Sequence, residues 1–370
     1  MTSYWEKEHW YDKYDFAIIG AGIVGLSSAI ELRHKFPKSS ILIIERGKIP
    51  HGASTKNAGF ACFGTLTEIL DDLNSISEKE CIELIKLRWN GLKRLQDRVP
   101  AKLMNLFNHG GSELFKNVNE YEKYSDKLIY VNNIIEEAIQ IKNVLRFENQ
   151  SFFSGLYKKS VKNDYESQLN PVKLIKYLMH LCYKLDISIQ FNTDVKSYED
   201  AGALGLEIIF ANEQVIKCSK LIICNNAFAK RLIPALDIIP ARNQVLISKP
   251  IENLNIKGTY HFDKGYIYFR DIEDRILIGG ARNIDLQEET TDQFGNNQKI
   301  VDYLIQFVNE KLRIQKFELD YKWSGIIASG SKKSSIIEQK SDNVYLAVRQ
   351  GGMGIAIGSE VAYKVTELIE

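Results

Sequence analysis

The chain has 370 residues, 45% of them hydrophobic and 26% charged, enough to bury a core in two domains or one elaborate one. A formal net charge of +1 gives no reason to expect nucleic acid or an anionic membrane surface as a partner. Cys62, Cys81, Cys182, Cys218 and Cys224 are scattered with no C-x-x-C spacing, which argues against a disulfide framework or a zinc site and suits a reducing compartment.

In chain order, "MTSYWEKEHWYDKYDF" lacks the basic end and apolar core of a signal peptide, and Trp5 and Trp10 read as packing this segment onto a sheet. The apolar run from Phe16 to Ile30 is too short, and too rich in glycine and serine, to span a bilayer. The expectation is a cytoplasmic protein with no membrane span. "YDFAIIG" reads as a strand, "LSSAIELRHKF" as a helix and "SSILIIE" as a second strand, which implies parallel strands joined by a right-handed crossover. Ser77 and Glu80 form a capping box for a long helix, and helical, polar sequence is expected to run to about Phe147. Asn170 caps a further helix whose first position is Pro171. "ISIQFNTDV", "GLEIIFA" and "QVIKCSKLIIC" read as strands, residues 235–325 as strand-rich, and a closing helix starts near Ile355. No repeat or low-complexity segment interrupts this order.

Gly20, Gly22 and Gly25 make a G-x-G-x-x-G between the first strand and its helix, with Ala21, Ile23 and Val24 completing the turn. The first glycine permits a tight turn, the second lets backbone approach a pyrophosphate, and the third lets helix and strand pack closely. Glu45, 20 residues past Gly25, ends the second strand beside Arg46, where a carboxylate can accept both ribose hydroxyls. An acid at this place argues against a ribose 2′-phosphate, hence against NADP.

"GASTKNAGF", Gly52 to Phe60, resembles the G-A-S-x-x-N-A-G segment of the D-amino acid oxidase superfamily, whose members include glycine oxidase, sarcosine oxidase and γ-glutamylputrescine oxidase. The resemblance implies that Ala53, Ser54, Thr55, Asn57, Ala58 and Gly59 run beside the pyrophosphate, ribityl chain and ring edge of FAD. "NTDVKSY" resembles the strand whose valine, here Val195, meets adenine through its backbone. "LIICNNAFA", with Cys224, Asn225 and Asn226, resembles the strand end beside the ribose. "PARNQVLIS" resembles the P-x-R-G-Q segment leading into the substrate domain, with Asn243 in place of glycine. "RQGGMGIAIGSEVA" resembles the C-terminal flavin loop, in which Gly351, Gly352, Met353, Gly354 and Ile355 offer backbone N–H groups to the isoalloxazine C2=O, where charge appears on reduction. The likeness covers nearly the whole chain outside residues 66–165. Relatives with covalent flavin use a cysteine in the loop that is "ASGSKKSS" here, or a histidine where this chain has Lys56 and Asn57; neither is present, and His51 lies outside the matching position. FAD is therefore expected to be held non-covalently.

The resemblance also implies a fold and a reaction. The fold is an α/β FAD-binding Rossmann-like (D-amino acid oxidase-like) domain, residues 1–70, 150–235 and 322–370, with a second α+β substrate domain on a mixed sheet, residues 71–149 and 236–321. The reaction is oxidation of a CH–NH bond of a small amine or amino acid by hydride transfer to flavin, with an acceptor (oxygen, quinone or carrier protein) that the sequence leaves open. Alternatives are a 2-hydroxy acid donor, or a flavin-binding subunit whose degenerate site needs a partner. Tyr266, Tyr268 and Arg270 share one face of a strand by its two-residue period. Tyr266 matches a substrate-contacting tyrosine of glycine oxidase, and Arg282 matches a pocket methionine. The arginine that binds the substrate carboxylate there falls at Ile327 here. Either Arg282 or Arg349 supplies that fork from another wall, or the substrate lacks an α-carboxylate. Among blander readings, Arg270 and Arg275 are surface groups, Lys332 and Lys333 a solvated turn, and Tyr266 and Tyr268 core aromatics.

Overall fold

The computed structural model describes residues 3–6, 13–314 and 317–370. Trp10 lies outside the described residues, and Trp5, 68% exposed, touches Tyr4 and is not packed onto a sheet.

Two eight-stranded sheets carry the architecture. The first is built on β1 (Lys13–Ile19), flanked in parallel by β2 (Ile41–Ile44) and by a long late strand, Val215–Ile223. Their apolar residues are buried on both faces, as a parallel sheet under helices requires. The register sets Ile19 beside Ile44 on one side and Ile223 on the other. Ser188–Gln190 extends the sheet beyond β2, and Val344–Val348 continues it in parallel beyond Val215–Ile223. The carboxyl ends of strands from the two ends of the chain therefore open at one level, in the crevice where such sheets bind ligands. Helices Ile23–Lys35, Pro171–Lys184 and Gly354–Glu367 bury one face, while Leu206–Phe210 and its antiparallel neighbours cover the other. Asn170 caps the second of these helices as expected, accepting from the backbone N of Val172 and Lys173 at 3.1 and 3.0 Å.

The second sheet is mixed. Ile239–Ser248 pairs antiparallel along its length with Leu319–Ser329, then come Arg275–Gly280, Ile267–Ile272 and Thr259–Phe262, all antiparallel. Its far edge is supplied by Gly111–Leu114, Lys159–Asn163 and Leu145–Asn149. Gly111–Leu114 and Leu145–Asn149 break up the stretch expected to be helical to Phe147. "GSEL" carries no strand pattern of its own, and pairing with strands on both sides makes it one. Ile267, Phe269 and Ile278 point to a core closed by helix Gln298–Phe307, while Tyr268, Leu277 and Val245 face the segment around Ala58.

Sheet membership departs from the expected division. Lys159–Asn163 and the whole of Leu319–Ser329 belong to the second sheet, because hydrogen-bonded partners and not local composition assign a strand. Helix Glu78–Arg98, expected on the substrate side, lies against helix Gly354–Glu367. Gly91 permits this approach: a Cβ there would stand 2.0 Å from the Ala356 carbonyl oxygen. Gly91→Ala should therefore lower stability by about 1–3 kcal/mol through overpacking, although alanine is the better helix former. Urea unfolding of the two proteins checks this, and an unchanged or raised midpoint would exclude the close contact.

Candidate active site

The strand ends open on a cavity of about 540 Å³. Gly20 makes the turn out of β1 at φ +106, and a Cβ on Gly25 would stand 1.9 Å from the Gly20 carbonyl oxygen, so helix and turn touch backbone to backbone. The segment from Gly52 docks on this helix: the Ile23 N–H donates to Ser54 Oγ at 3.0 Å. Glu45 is fixed by the Ala21 N–H (3.0 Å to Oε2) and the Gly47 N–H (2.9 Å to Oε1), and its remaining lone pairs belong to a carboxylate on the cavity wall. The Arg46 guanidinium lies 3.7 Å from the centre of the Phe228 ring, which closes the wall beyond Glu45.

All the residues expected to hold the cofactor line this cavity except Ala21, Gly25 and Thr55. Thr55 turns its hydroxyl back to the Pro50 carbonyl at 3.0 Å. The site fits a long dinucleotide on three observations. Asn225 Oδ1 is buried without a hydrogen-bond partner among the described residues. A Cβ added at Gly52, Gly352 or Gly354 would meet nothing within 4 Å, so these glycines are not needed for the protein to pack on itself. Helix Gly354–Glu367 begins without a side-chain cap, and its first residues line the cavity, offering free N–H groups and a positive dipole end. Asn226, just past strand Val215–Ile223, ties that strand end to the loop before the last helix, its Oδ1 accepting from Gln350 N at 3.1 Å.

At the other end, Tyr266, Tyr268, Arg282 and Ile327 line the cavity. Tyr266, 39% exposed, stands at the rim and is no core aromatic, whereas Tyr268 packs edge-on against Phe60 at 5.4 Å. Arg270 is not a surface group. It is buried, with Nε donating to Ala58 O at 2.6 Å and Nη2 to Leu169 O at 3.1 Å, so it clamps the second flavin segment by its backbone. Burial pulls its pKa down to about 10, against the pull of Asp271, and the guanidinium stays charged at neutral pH. Arg275 is ion-paired with Asp320.

Arg349 corrects an expectation. It does not line the cavity: at φ +62 the backbone turns its side chain outward to Asp237 Oδ2 (2.6 Å) and the Ser334 carbonyl (2.9 Å). Lys333 corrects another, bonding Asp72 at 2.7 Å and Asp71 at 3.2 Å. Asp71 also takes Lys264 at 2.9 Å, and Asp72 takes the buried Arg88 at 3.2 Å. These five residues, with Glu68, line the cavity on the side of helix Leu66–Leu73. Lys264, two residues before Tyr266 in the chain, could have been found from the strand reading; the partners from residues 66–88 had no signal in the sequence. Arg282, by contrast, makes no hydrogen bond or ion pair among the described residues.

A parallel sheet with a glycine turn, a fixed carboxylate at the second strand end and a bare-backbone cradle define a dinucleotide-binding flavoprotein. Residues 15–368 match the family described as FAD dependent oxidoreductase, and the chain belongs to it. A curated relative, the probable oxidoreductase OrdL of Haemophilus influenzae, is 20% identical over 371 residues, covering 96% of this chain and 82% of that protein. Among solved structures, glycine oxidase from Geobacillus kaustophilus superposes with a TM-score of 0.75 at 17% identity, over 97% of this chain and 95% of that one. L-α-glycerophosphate oxidase from Mycoplasma pneumoniae with FAD bound gives a TM-score of 0.78 at 13% identity, over 97% and 95% of the two chains.

Two outcomes follow from this geometry. Gly352→Val puts its side chain where the protein has no atoms, so the melting temperature of the FAD-free protein should stay within a degree or two while FAD affinity falls at least tenfold; flavin fluorescence titration measures the second. With no cysteine or histidine at the matching attachment positions, acid precipitation should leave all the yellow colour in the supernatant; a yellow pellet would show a covalent bond.

Proposed function

We propose that this FAD-dependent oxidoreductase oxidises the CH–NH bond of a small amine that carries an acid group. The observation behind this reading is the Arg282 guanidinium, on the cavity wall at the Tyr266 end and without an ionic partner among the described residues, while Lys264, Lys333 and Arg88 are all paired with Asp71 or Asp72. A half-buried cation left unpaired on the cavity wall is stabilised by an anion brought in by the ligand, and a guanidinium fork matches a carboxylate bidentately. Arg282 thereby takes over the part that Ile327 cannot play.

When bound, FAD supplies the two-electron acceptor for the substrate hydride. The chain's own residues orient and enclose. Arg282 fixes one end of the substrate, and the Tyr266 hydroxyl at the rim offers a hydrogen bond to its polar groups. Phe60, Tyr268 and Ile327 keep the wall apolar, which favours the neutral amine over the ammonium form. Arg270 holds the Gly52–Phe60 segment still by gripping Ala58 O, so the cofactor's bed does not shift as substrate enters. The uncapped start of helix Gly354–Glu367 favours negative charge on the cofactor's side of the cavity.

The test is anaerobic bleaching of the yellow protein by amino acids, N-methylated amino acids, polyamines and 2-hydroxy acids. The reading expects rapid bleaching by an amine bearing a carboxylate, and Arg282→Met should raise the half-saturating concentration at least tenfold with little change for carboxylate-free analogues. Bleaching by hydroxy acids alone would move the reaction to a CH–OH donor. Bleaching by polyamines alone, or an unaffected Arg282→Met, would remove Arg282 as the anchor.

A further inference from the structure

Cys62, Glu166 and His261 come from three separate parts of the chain and meet beside the cavity. One ligand atom from each, the Cys62 sulfur, a Glu166 oxygen and a His261 ring nitrogen, lies within 4.8 Å of the other two, and no other such group of three occurs among the described residues. All three residues are buried, at 5%, 1% and 3% exposure. Their convergence is built by ordinary strand geometry. Thr259 and His261 share the face of Thr259–Phe262 opposite to Tyr260 and Phe262, which belong to the core behind the sheet. Glu166 reaches this face from the turn before Ser167–Gln168, and Cys62 leaves the flavin segment just after Phe60 and Ala61, which pair with that same short strand.

An ion pair accounts for part of the cluster. Glu166 Oε1 bonds His261 Nε2 at 2.5 Å and accepts from Thr259 Oγ1 at 2.8 Å. It does not account for the thiol beside them, nor for the placing of both Cys62 and His261 on the cavity wall. The Cys62 sulfur also touches the Met353 thioether, 3.8 Å away, which is not one of the three converging ligands. We infer that Cys62, Glu166 and His261 form a binding site for one thiophilic divalent cation of the zinc and cadmium class. Thiolate, imidazole and carboxylate are the donor set of such ions, whereas magnesium and calcium take oxygen alone. Three protein ligands leave a coordination position open, and here the open side is the cavity, which is also the route of entry. Thr259 supplies the outer hydrogen bond that orients the carboxylate.

Binding exchanges protons for metal. The cation replaces the thiol proton of Cys62 and the proton held between His261 and Glu166, and both leave to solvent, so no oxidant or reductant is involved. The bound ion narrows the cavity at the Phe60 and Tyr268 end. The inference is independent of the substrate proposed above, since binding is read without any turnover.

The experiment titrates Cd²⁺ into the FAD-loaded protein, following heat and the ultraviolet cadmium–thiolate absorption. One ion per chain with a thiolate band is expected, displaced by Zn²⁺ and not by Mg²⁺. Cys62→Ser should abolish the band and weaken binding at least tenfold, with the flavin spectrum reporting that the fold is kept. ¹¹³Cd NMR of the unmodified protein reads the ligand set without any variant, and a shift typical of one sulfur with nitrogen and oxygen donors is expected. No binding, an all-oxygen shift, or undiminished affinity in Cys62→Ser would overturn the site.

Discussion

Everything at this protein's centre depends on bare backbone being brought close to a long ligand from several directions. Side chains would stand in the way, so the turn after the first strand, the Gly52–Gly59 segment and the loop before the last helix are glycine- and alanine-rich. They play two different parts. Gly20, Gly25 and Gly91 are small because protein backbone lies against them, and a Cβ there meets atoms of the chain. Gly352 and Gly354 are small although the chain leaves space beside them, which marks them as shaped by what binds, whereas Gly351 also takes the left-handed backbone, φ +56, that favours glycine. The strand register then makes these separate segments one surface, since Ile19, Ile44 and Ile223 end together.

The second sheet is part of the same device and not merely a neighbour. Its Arg270 grips the carbonyl of Ala58, and the Trp323 indole N–H donates to the Lys56 carbonyl at 2.9 Å, so strands of one sheet hold the loop that the other sheet presents. Both bonds go to backbone carbonyls at or just beyond the end of the single helical turn Ala53–Lys56, and they satisfy acceptors that neither this turn nor a strand uses. Electrostatics divides the cavity walls in a similar way. On the helix Leu66–Leu73 side Asp71 and Asp72 pair with three cations, while the Arg282 side chain has no ionic partner among the described residues.

How much of this could be read in the chain follows from the range of the forces involved. The glycine turn, the carboxylate at Glu45, the caps at Ser77 and Asn170 and the period-two face of Tyr266, Tyr268 and Arg270 were legible, because each reflects a local steric or hydrogen-bonding requirement within a few residues. The sheet membership of Gly111–Leu114 and Lys159–Asn163 was not, because the pairing partners are distant in sequence and the segments carry little strand preference. The directions of long side chains were also hidden. Arg270 looked like a surface group and is buried, while Arg349 looked like a candidate carboxylate anchor and faces Asp237.

The sequence by itself determined the cofactor class and the fold that carries it, since close backbone approach demands particular small residues in a particular order. Only the tertiary structure decided which cations are free and which are spent on the protein's own acids. It alone brought Cys62, Glu166 and His261 together, although the spacing of the cysteines argued against any metal site. The physical reason is the same in both cases: steric demands on the backbone are written residue by residue, whereas charge pairing and ligand clusters are settled by distances that exist only once the two sheets have packed.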